Sequence, residues 1–267
     1  MSRRGDSAIP FAVKPLLRTA GLLRCAALLC ALLPAALVGA PTALPLATPA
    51  GLTLVNTRAE PVTFQGRAAL RLTATPSAPG SGAAAPAATK AKGAPSPGAA
   101  EAGRRDHLAV IDGIDFAHGT IEVDLAGEPG PGASGGARGF VGVAFRVQPD
   151  HRTYDCFYLR PTNGRADDQE RRNRTAQYIS HPEHTWFALR EKTPGRYESY
   201  VDIAPAAWIR VRIEVDGAKA RLFVNGAEQP TLLVNDVKTG PDARGRVALW
   251  FEGSTIAHFA NLKITPR

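Results

Sequence analysis

Two things are scarce in this chain: cysteine and helical periodicity. Three cysteines occur in 267 residues, and Cys25 and Cys30 lie in an N-terminal apolar run. Cys156 is then the one left for a folded domain, so an intrachain disulfide is excluded there and stability must come from a hydrophobic core. Cys156 sits in a Tyr/Phe-rich stretch, where cysteine acts as a small apolar filler rather than a nucleophile. Helix-forming pattern is confined to "APAA", Ala204 to Ala207, and parts of 160–176. A concentrated basic field is also lacking. The net charge is +8, but Arg3, Arg4, Lys14, Arg18 and Arg24 against Asp6 leave +4 in residues 1–47 and only +4 for the other 220. That excludes a phosphate-tracking nucleic-acid surface. Gly-rich residues 127–139 are no phosphate loop, because no Lys-Ser/Thr follows and a strand pattern comes next.

The N-terminus has the layout of an export signal. Basic residues end at Arg24, and "CAALLCALLPAALVGA" then runs from Cys25 to Ala40 without a charge. Residues 1–47 are read as a signal peptide, with an uncleaved membrane anchor as the alternative. Ala40 is a poor cleavage site because Pro41 follows, and Ala47 is another candidate. Pro34, Pro41 and Pro45 count against a straight span of about 20 residues. The expected location is extracytoplasmic, with membrane contact only through this segment if it is retained.

Residues 48–267 are read as one domain interrupted by an Ala/Pro/Gly-rich insertion over 76–105. In residues 76–100 those three types fill 19 of 25 positions, too little to offset the entropy of ordering. Short strands precede it ("LTLVN", "VTFQ", "RAALRLTA"). After it, period two prevails. "GTIEVDL" alternates Ile121, Val123 and Leu125 against Thr120, Glu122 and Asp124. "GFVGVAFRVQ" is apolar on both faces, which places it centrally in a sheet. "WIRVRIEVDGAKARLFVNG" reads as a hairpin turning at Asp216-Gly217. That turn pairs Val215 with Ala218, Ile213 with Ala220, Val211 with Leu222 and Ile209 with Val224. It also sets Arg212 opposite Arg221, a mismatch that solvent would have to screen. About a dozen strands with Gly/Pro turns predict an all-β, two-sheet antiparallel jelly-roll sandwich.

Three phrases carry a family likeness: "WIRVRIEVDGAKARLFVNG", "GRVALWFEGSTIAHFANLKI" and "GTIEVDLAG". They resemble the concanavalin A-like superfamily, laminin G-like domains of bacterial exported proteins, and 3-keto-disaccharide hydrolase-type domains. The likeness spans residues 52–267 without the insertion. It implies the sandwich fold and functions ranging from sugar-binding modules to glycosidases, so activity must be argued from a site.

The leading candidate site begins at "CFYLRPTNGRADDQERRNRTAQY", which packs five arginines and three acids into Arg160 to Arg174. Tyr154, Cys156, Tyr158 and Arg160 share one strand face. Beyond the Pro161 strand end, Asn163, Arg165, Asp168, Gln169, Arg172, Gln177 and Tyr178 supply forks, amides and carboxylates that match paired sugar hydroxyls. His181, Trp186 and Arg190 extend the set, with aromatic faces for a pyranose ring. Arg146 is added as the polar residue of a central strand. The blander reading is a solvated loop whose arginines pair with Asp167, Asp168 and Glu170. The expected function is a carbohydrate-recognition domain for a glycan or another polar small ligand. The alternatives are a hydrolase of glycosidic or keto-sugar substrates and a protein-interaction module.

A catalytic pair is the second candidate. "IEVDLAGE" resembles the E-x-D-x-x-E strand of laminarinase-type glycoside hydrolases, with Glu122 and Asp124 as the acids. A retaining mechanism needs the two carboxyls about 5–5.5 Å apart. Glu128 comes one residue late and falls off that face unless a bulge intervenes. "SHPEHTW" sets His181 and His184 three apart, too few ligands for a closed zinc site. No cofactor is expected. Calcium through Asp112, Asp115 or Asp236 is the family-level exception, without dense oxygen-ligand spacing behind it. Asn173-Arg174-Thr175 is a glycosylation sequon.

Overall fold

The computed structural model describes residues 40–76 and 105–267. The apolar N-terminal run and nearly all of the Ala/Pro/Gly insertion lie outside the described residues. No helix among the described residues is long and apolar enough to cross a membrane.

Among the described residues, fifteen strands form two antiparallel sheets, a jelly-roll sandwich. The eight-stranded sheet holds β13 (Leu232–Val234), β12 (Lys219–Val224), β11 (Ile209–Asp216), β6 (Gly119–Pro129), β15 (Thr255–Pro266), β4 (Arg67–Ala74) and β3 (Thr57–Phe64) in that order. β1 (Thr42–Leu44) pairs with β15 off this path. The seven-stranded sheet runs β10 (Glu198–Ser199), β9 (Ala176–His181), β8 (Tyr154–Leu159), β7 (Val141–Val147), β14 (Arg246–Phe251), β5 (His107–Ile111) and β2 (Leu52–Val55). β7, apolar on both faces, is the middle strand of its sheet, and all seven of its residues are buried.

Alternation fixes which side chains fill the space between the sheets. β6 contributes Ile121, Val123 and Leu125, and β11 contributes Ile209, Val211 and Ile213. The other sheet answers with Val141, Val143, Phe157, Leu249 and Phe251, and all of these are buried. The sheets touch at Gly127. A Cβ there would lie 2.8 Å from Val141 Cγ1 and 2.4 Å from the Gly139 carbonyl oxygen, so only glycine lets β6 pass.

Described residues on the N-terminal side of position 47 are part of the sandwich. Thr42–Leu44 form a strand against Leu262–Ile264, and Leu46 is buried in the core. The β11–β12 hairpin also differs. Asp216 pairs with Lys219, so the two-residue loop is Gly217-Ala218, one residue later than expected. Gly217 has φ +56 and Ala218 is not among the positive-φ residues. One positive φ at the first loop position is the type II′ pattern, not the I′ pattern that Asp-Gly predicted. The slip keeps every apolar residue on its face and removes the charge mismatch. Arg221 now faces Glu214, and Arg212 faces Phe223 with its guanidinium 3.7 Å from the ring centroid.

Helix is sparse. Pro161–Asn163 make one 3-10 turn, α1 is Gln169–Arg172 and α2 is Trp186–Lys192. "APAA" is a turn. α2 escaped the sequence reading because Pro182 and two histidines made the stretch look like a loop. Its start is marked by Thr185, whose hydroxyl accepts from Ala188 N at 3.4 Å.

Candidate functional site

Strand register builds one row of side chains across five strands of the seven-stranded sheet. Trp250 on β14 lies opposite Gly142 on β7, then Tyr158 on β8, Gln177 on β9 and Glu198 on β10. Their neighbours Val141, Leu249 and Phe157 point to the core, so the row is on the outer face. Gly142 leaves a gap in it. The Tyr158 and Trp250 rings meet across that gap, with centroids 4.9 Å apart and planes at 32°. Phe140 stacks on the other side of Tyr158 at 5.4 Å. Trp250 Nε1 donates to Tyr154 Oη at 3.0 Å, and Tyr154 donates to Asp106 Oδ1 at 2.5 Å.

Arg160 closes the row. Its Nη1 donates to the Arg174 carbonyl at 2.6 Å, and its Nη2 donates to Tyr158 Oη at 2.7 Å and Gln177 Oε1 at 3.1 Å. Its guanidinium lies 5.2 Å and 4.9 Å from the Phe140 and Tyr158 ring centroids. Burial lowers its pKa, opposed by Tyr158 and Glu198. Burial pushes the Tyr158 phenol up to about 12, so it stays protonated. Tyr158 accepts from Arg160, and its own O–H proton has no acceptor among the described residues. The Gln177 amide donates to the Tyr178 and Tyr197 carbonyls at 2.8 and 3.0 Å.

Glu198 is the anionic centre. Arg190 pairs with both of its oxygens, through Nη2 and through Nε at 3.2 Å. Arg160 approaches at 3.6 Å and Arg174 at 4.0 Å. The Arg190 guanidinium also lies 4.6 Å from the Trp186 ring centroid on α2. Tyr158, Gln177 and Arg160 are buried, whereas Trp186 is half-buried and Arg190 keeps 23% of its side chain exposed. The open edge of the row is therefore its α2 end.

Of the residues singled out in the sequence, Tyr158, Arg160, Gln177, Trp186 and Arg190 are brought together. His181 shares the face at its far end, with its ring 5.2 Å from that of Tyr154. Others are placed elsewhere. Tyr178 points inward, donating to Asp155 Oδ1 at 2.6 Å and accepting from Lys238 N at 2.8 Å. Arg146, at φ +54, is fully buried and gives its N–H groups to the carbonyls of Ala117, Gly217 and Gly240. It ties the strand ends together and stands apart from the row. The loop residues largely satisfy one another. Arg165 pairs with Asp202 at 2.8 Å, Arg172 donates to Tyr200 Oη at 2.9 Å, and Gln169 donates to Asn173 at 2.7 Å. Asp168 caps α1 by accepting from Arg171 N, and Asn163 is buried, donating to the Arg174 carbonyl. Phe140, Tyr154, Trp250 and Glu198 are residues that the sequence reading left out of the site. Alternation hinted at Tyr154. Trp250 and Glu198 needed the strand order.

The proposed acid pair is on the other sheet. Glu122 and Asp124 face outward from β6. Glu122 lies 3.7 Å from Lys263 Nζ, while Asp124 accepts from Arg67 at 2.7 Å and Asn261 at 2.8 Å. Glu128 pairs with Ile256 in unbroken register, so it stays on the side of Asp124 instead of leaving it. Among the described residues no group of three or more His, Cys, Asp or Glu could hold a metal. Asp112 accepts from Thr53, Asp115 pairs with Arg244, and Asp236 pairs with Lys238 and Arg196.

No family model matches the sequence, and neither does any curated protein. Solved structures do. A Bacillus subtilis protein of unknown function with a galectin-like fold is 13% identical, with TM-score 0.50, covering 86% of this chain and 98% of that one. The carbohydrate binding module CBM66 from Bacillus subtilis is 12% identical at TM-score 0.48, covering 80% and 95%. A Bacillus licheniformis β-glucanase is 12% identical at 0.45, covering 86% and 99%. The likeness is one of fold. At such identities the neighbours assign no activity to this chain.

Proposed function

We propose that this chain is an exported carbohydrate-recognition protein that binds a saccharide at the α2 end of the Trp250–Tyr158–Gln177–Glu198 row. The supporting observation is the row itself: aromatic rings packed together beside a guanidinium network, with Trp186 and Arg190 at its accessible edge. Aromatic faces hold the apolar side of a sugar ring, and planar forks hold its hydroxyl pairs. Binding is favoured over hydrolysis because Glu198 is committed to arginines and Glu122 and Asp124 are ion-paired on the opposite face. A site made of many modest contacts gives affinities on the order of micromolar to millimolar.

The test is a glycan array probed with the full chain and its Trp186→Ala variant. Trp186 is half-buried and lines the edge, so its loss should weaken glycan retention about tenfold, 1.4 kcal/mol, without unfolding. Retention of no glycan, or an array pattern unchanged by the variant, would overturn this reading.

A further inference from the structure

Arginine is in excess beside the row, and the excess is local. Arg160, Arg174 and Arg190 surround Glu198, and Arg174 also pairs with Glu170 one helical turn away. Two further guanidinium groups belong to the same corner. Arg138 is joined to the turn after Arg160 through its own carbonyl, which accepts from Thr162 N at 3.4 Å. Arg171 reaches the same turn from α1, with Nη2 3.5 Å from Asn163 Oδ1.

Among the described residues, neither has a carboxylate within ion-pairing distance. Arg138 Nη1 donates only to the carbonyls of Gly135 and Ala137, at 2.8 and 3.0 Å. Glu170, the acid next to Arg171 in sequence, pairs with Arg174, and Asp168 accepts from the Arg171 backbone N rather than from its side chain. Arg171 Nε is buried with no hydrogen-bond partner. A buried donor left unmet is costly, so an acceptor that reaches it gains binding energy. Burial lowers the Arg138 pKa, and the nearby Arg171 and Arg160 charges lower it further. Two adjoining guanidinium groups, short of counter-charge and with one N–H unspent, form an arrangement that an oxyanion would complete.

We infer that Arg138 and Arg171 seat the acidic group, a carboxylate or sulfate, of an anionic saccharide that extends to the α2 end of the row. This rests on the recognition reading above and narrows it from saccharides in general to uronate-bearing or sulfated ones.

The experiment is a glycan array carrying neutral, uronate-containing and sulfated glycans, probed with the full chain, Arg138→Gln and Arg171→Gln. The expected hits are acidic, with at least tenfold loss in each variant. The uronate and sulfate arms decide which oxyanion is seated. Thermal unfolding provides the second readout. Removing an uncompensated charge should leave Tm unchanged or raise it, whereas a purely structural arginine would lower it. Hits confined to neutral glycans, or acidic hits unaffected by both variants, would overturn the inference and leave the recognition reading standing. An array without hits would overturn that reading and this inference together.

Discussion

Alanine at Gly142 probes the gap on which the aromatic row depends. The added Cβ would sit 2.2 Å from the Phe157 carbonyl oxygen, 2.6 Å from Tyr158 Cα and 2.6 Å from Tyr158 Cβ. Two of those atoms are backbone of the neighbouring strand, so no side-chain rotation relieves the contact. Overpacking of a dense interior costs about 1–3 kcal/mol. Parting the Tyr158 and Trp250 rings adds about 0.5–1.5 kcal/mol. The expected loss is therefore about 1.5–4.5 kcal/mol, a sizeable part of the 5–15 kcal/mol typical of a domain. Urea unfolding followed by tryptophan fluorescence measures it, since Trp250 reports the site directly. The midpoint should fall with little change in slope, because the surface exposed on unfolding is the same. Saccharide retention should fall below that of the parent chain even where the variant is fully folded. A destabilisation under about 0.5 kcal/mol, within the range of ordinary surface changes, would refute the argument that Gly142 is demanded by its neighbours.

Three other outcomes follow from the same geometry. Arg146→Met leaves the carbonyls of Ala117, Gly217 and Gly240 without their donor; chemical denaturation should show a loss above about 3 kcal/mol, and glycan retention should drop only with the unfolded fraction. His258 lies buried against Phe64, its ring stacked at 3.8 Å, and burial depresses its pKa to about 4. The unfolded chain then binds the extra proton between about 6.5 and 4, so stability is full above pH 6.5 and falls as pH drops through that window, by at most about 3 kcal/mol. Unfolding curves at pH 7 and pH 4.5 should converge for His258→Phe relative to the parent, and an equal pH response in both proteins would count against the assignment. A chain beginning at Thr48 lacks β1 and Leu46, whereas one beginning at Pro41 keeps them; the shorter should be less stable by at least the burial of one leucine, about 1.5–3 kcal/mol, and equal thermal midpoints would show β1 to be dispensable.

The sandwich was legible because period two is a property of single strands. Ile121, Val123 and Leu125 announce a core face without knowledge of any partner. The hairpin shows where that information stops. Moving its turn from Asp216-Gly217 to Gly217-Ala218 shifts pairing by two residues, which leaves every side chain on its original face. Alternation cannot detect such a slip; only the backbone at Gly217 decides it. The site was half legible for a related reason. Tyr158 and Arg160 advertise a shared face within one strand. Glu198, Trp250 and Gly142 join them through strand order, which a single sequence does not state. The charged bend was least legible. Composition counts guanidinium groups but does not say which are already satisfied. Arg165 finds Asp202 37 residues away, and Arg172 finds Tyr200.

That distinction between satisfied and unsatisfied charge separates the two outer faces of the sandwich. On the eight-stranded sheet, opposite charges answer one another within and between strands: Glu60 with Arg71, Asp124 with Arg67, Glu122 with Lys263, and Glu214 with both Arg212 and Arg221. Exposed pairs of this kind contribute little to stability individually, yet together they leave few donors for a polar ligand to engage. The seven-stranded sheet is built the other way. Its outer face carries aromatic rings, and among the described residues the phenolic proton of Tyr158 has no acceptor and Arg138 and Arg171, at its corner, have no carboxylate partner. A ligand gains binding energy from groups whose bonding capacity remains unspent, because a satisfied pair must first be broken. Chemistry therefore points to the second face, although both faces carry arginine and both belong to the same fold.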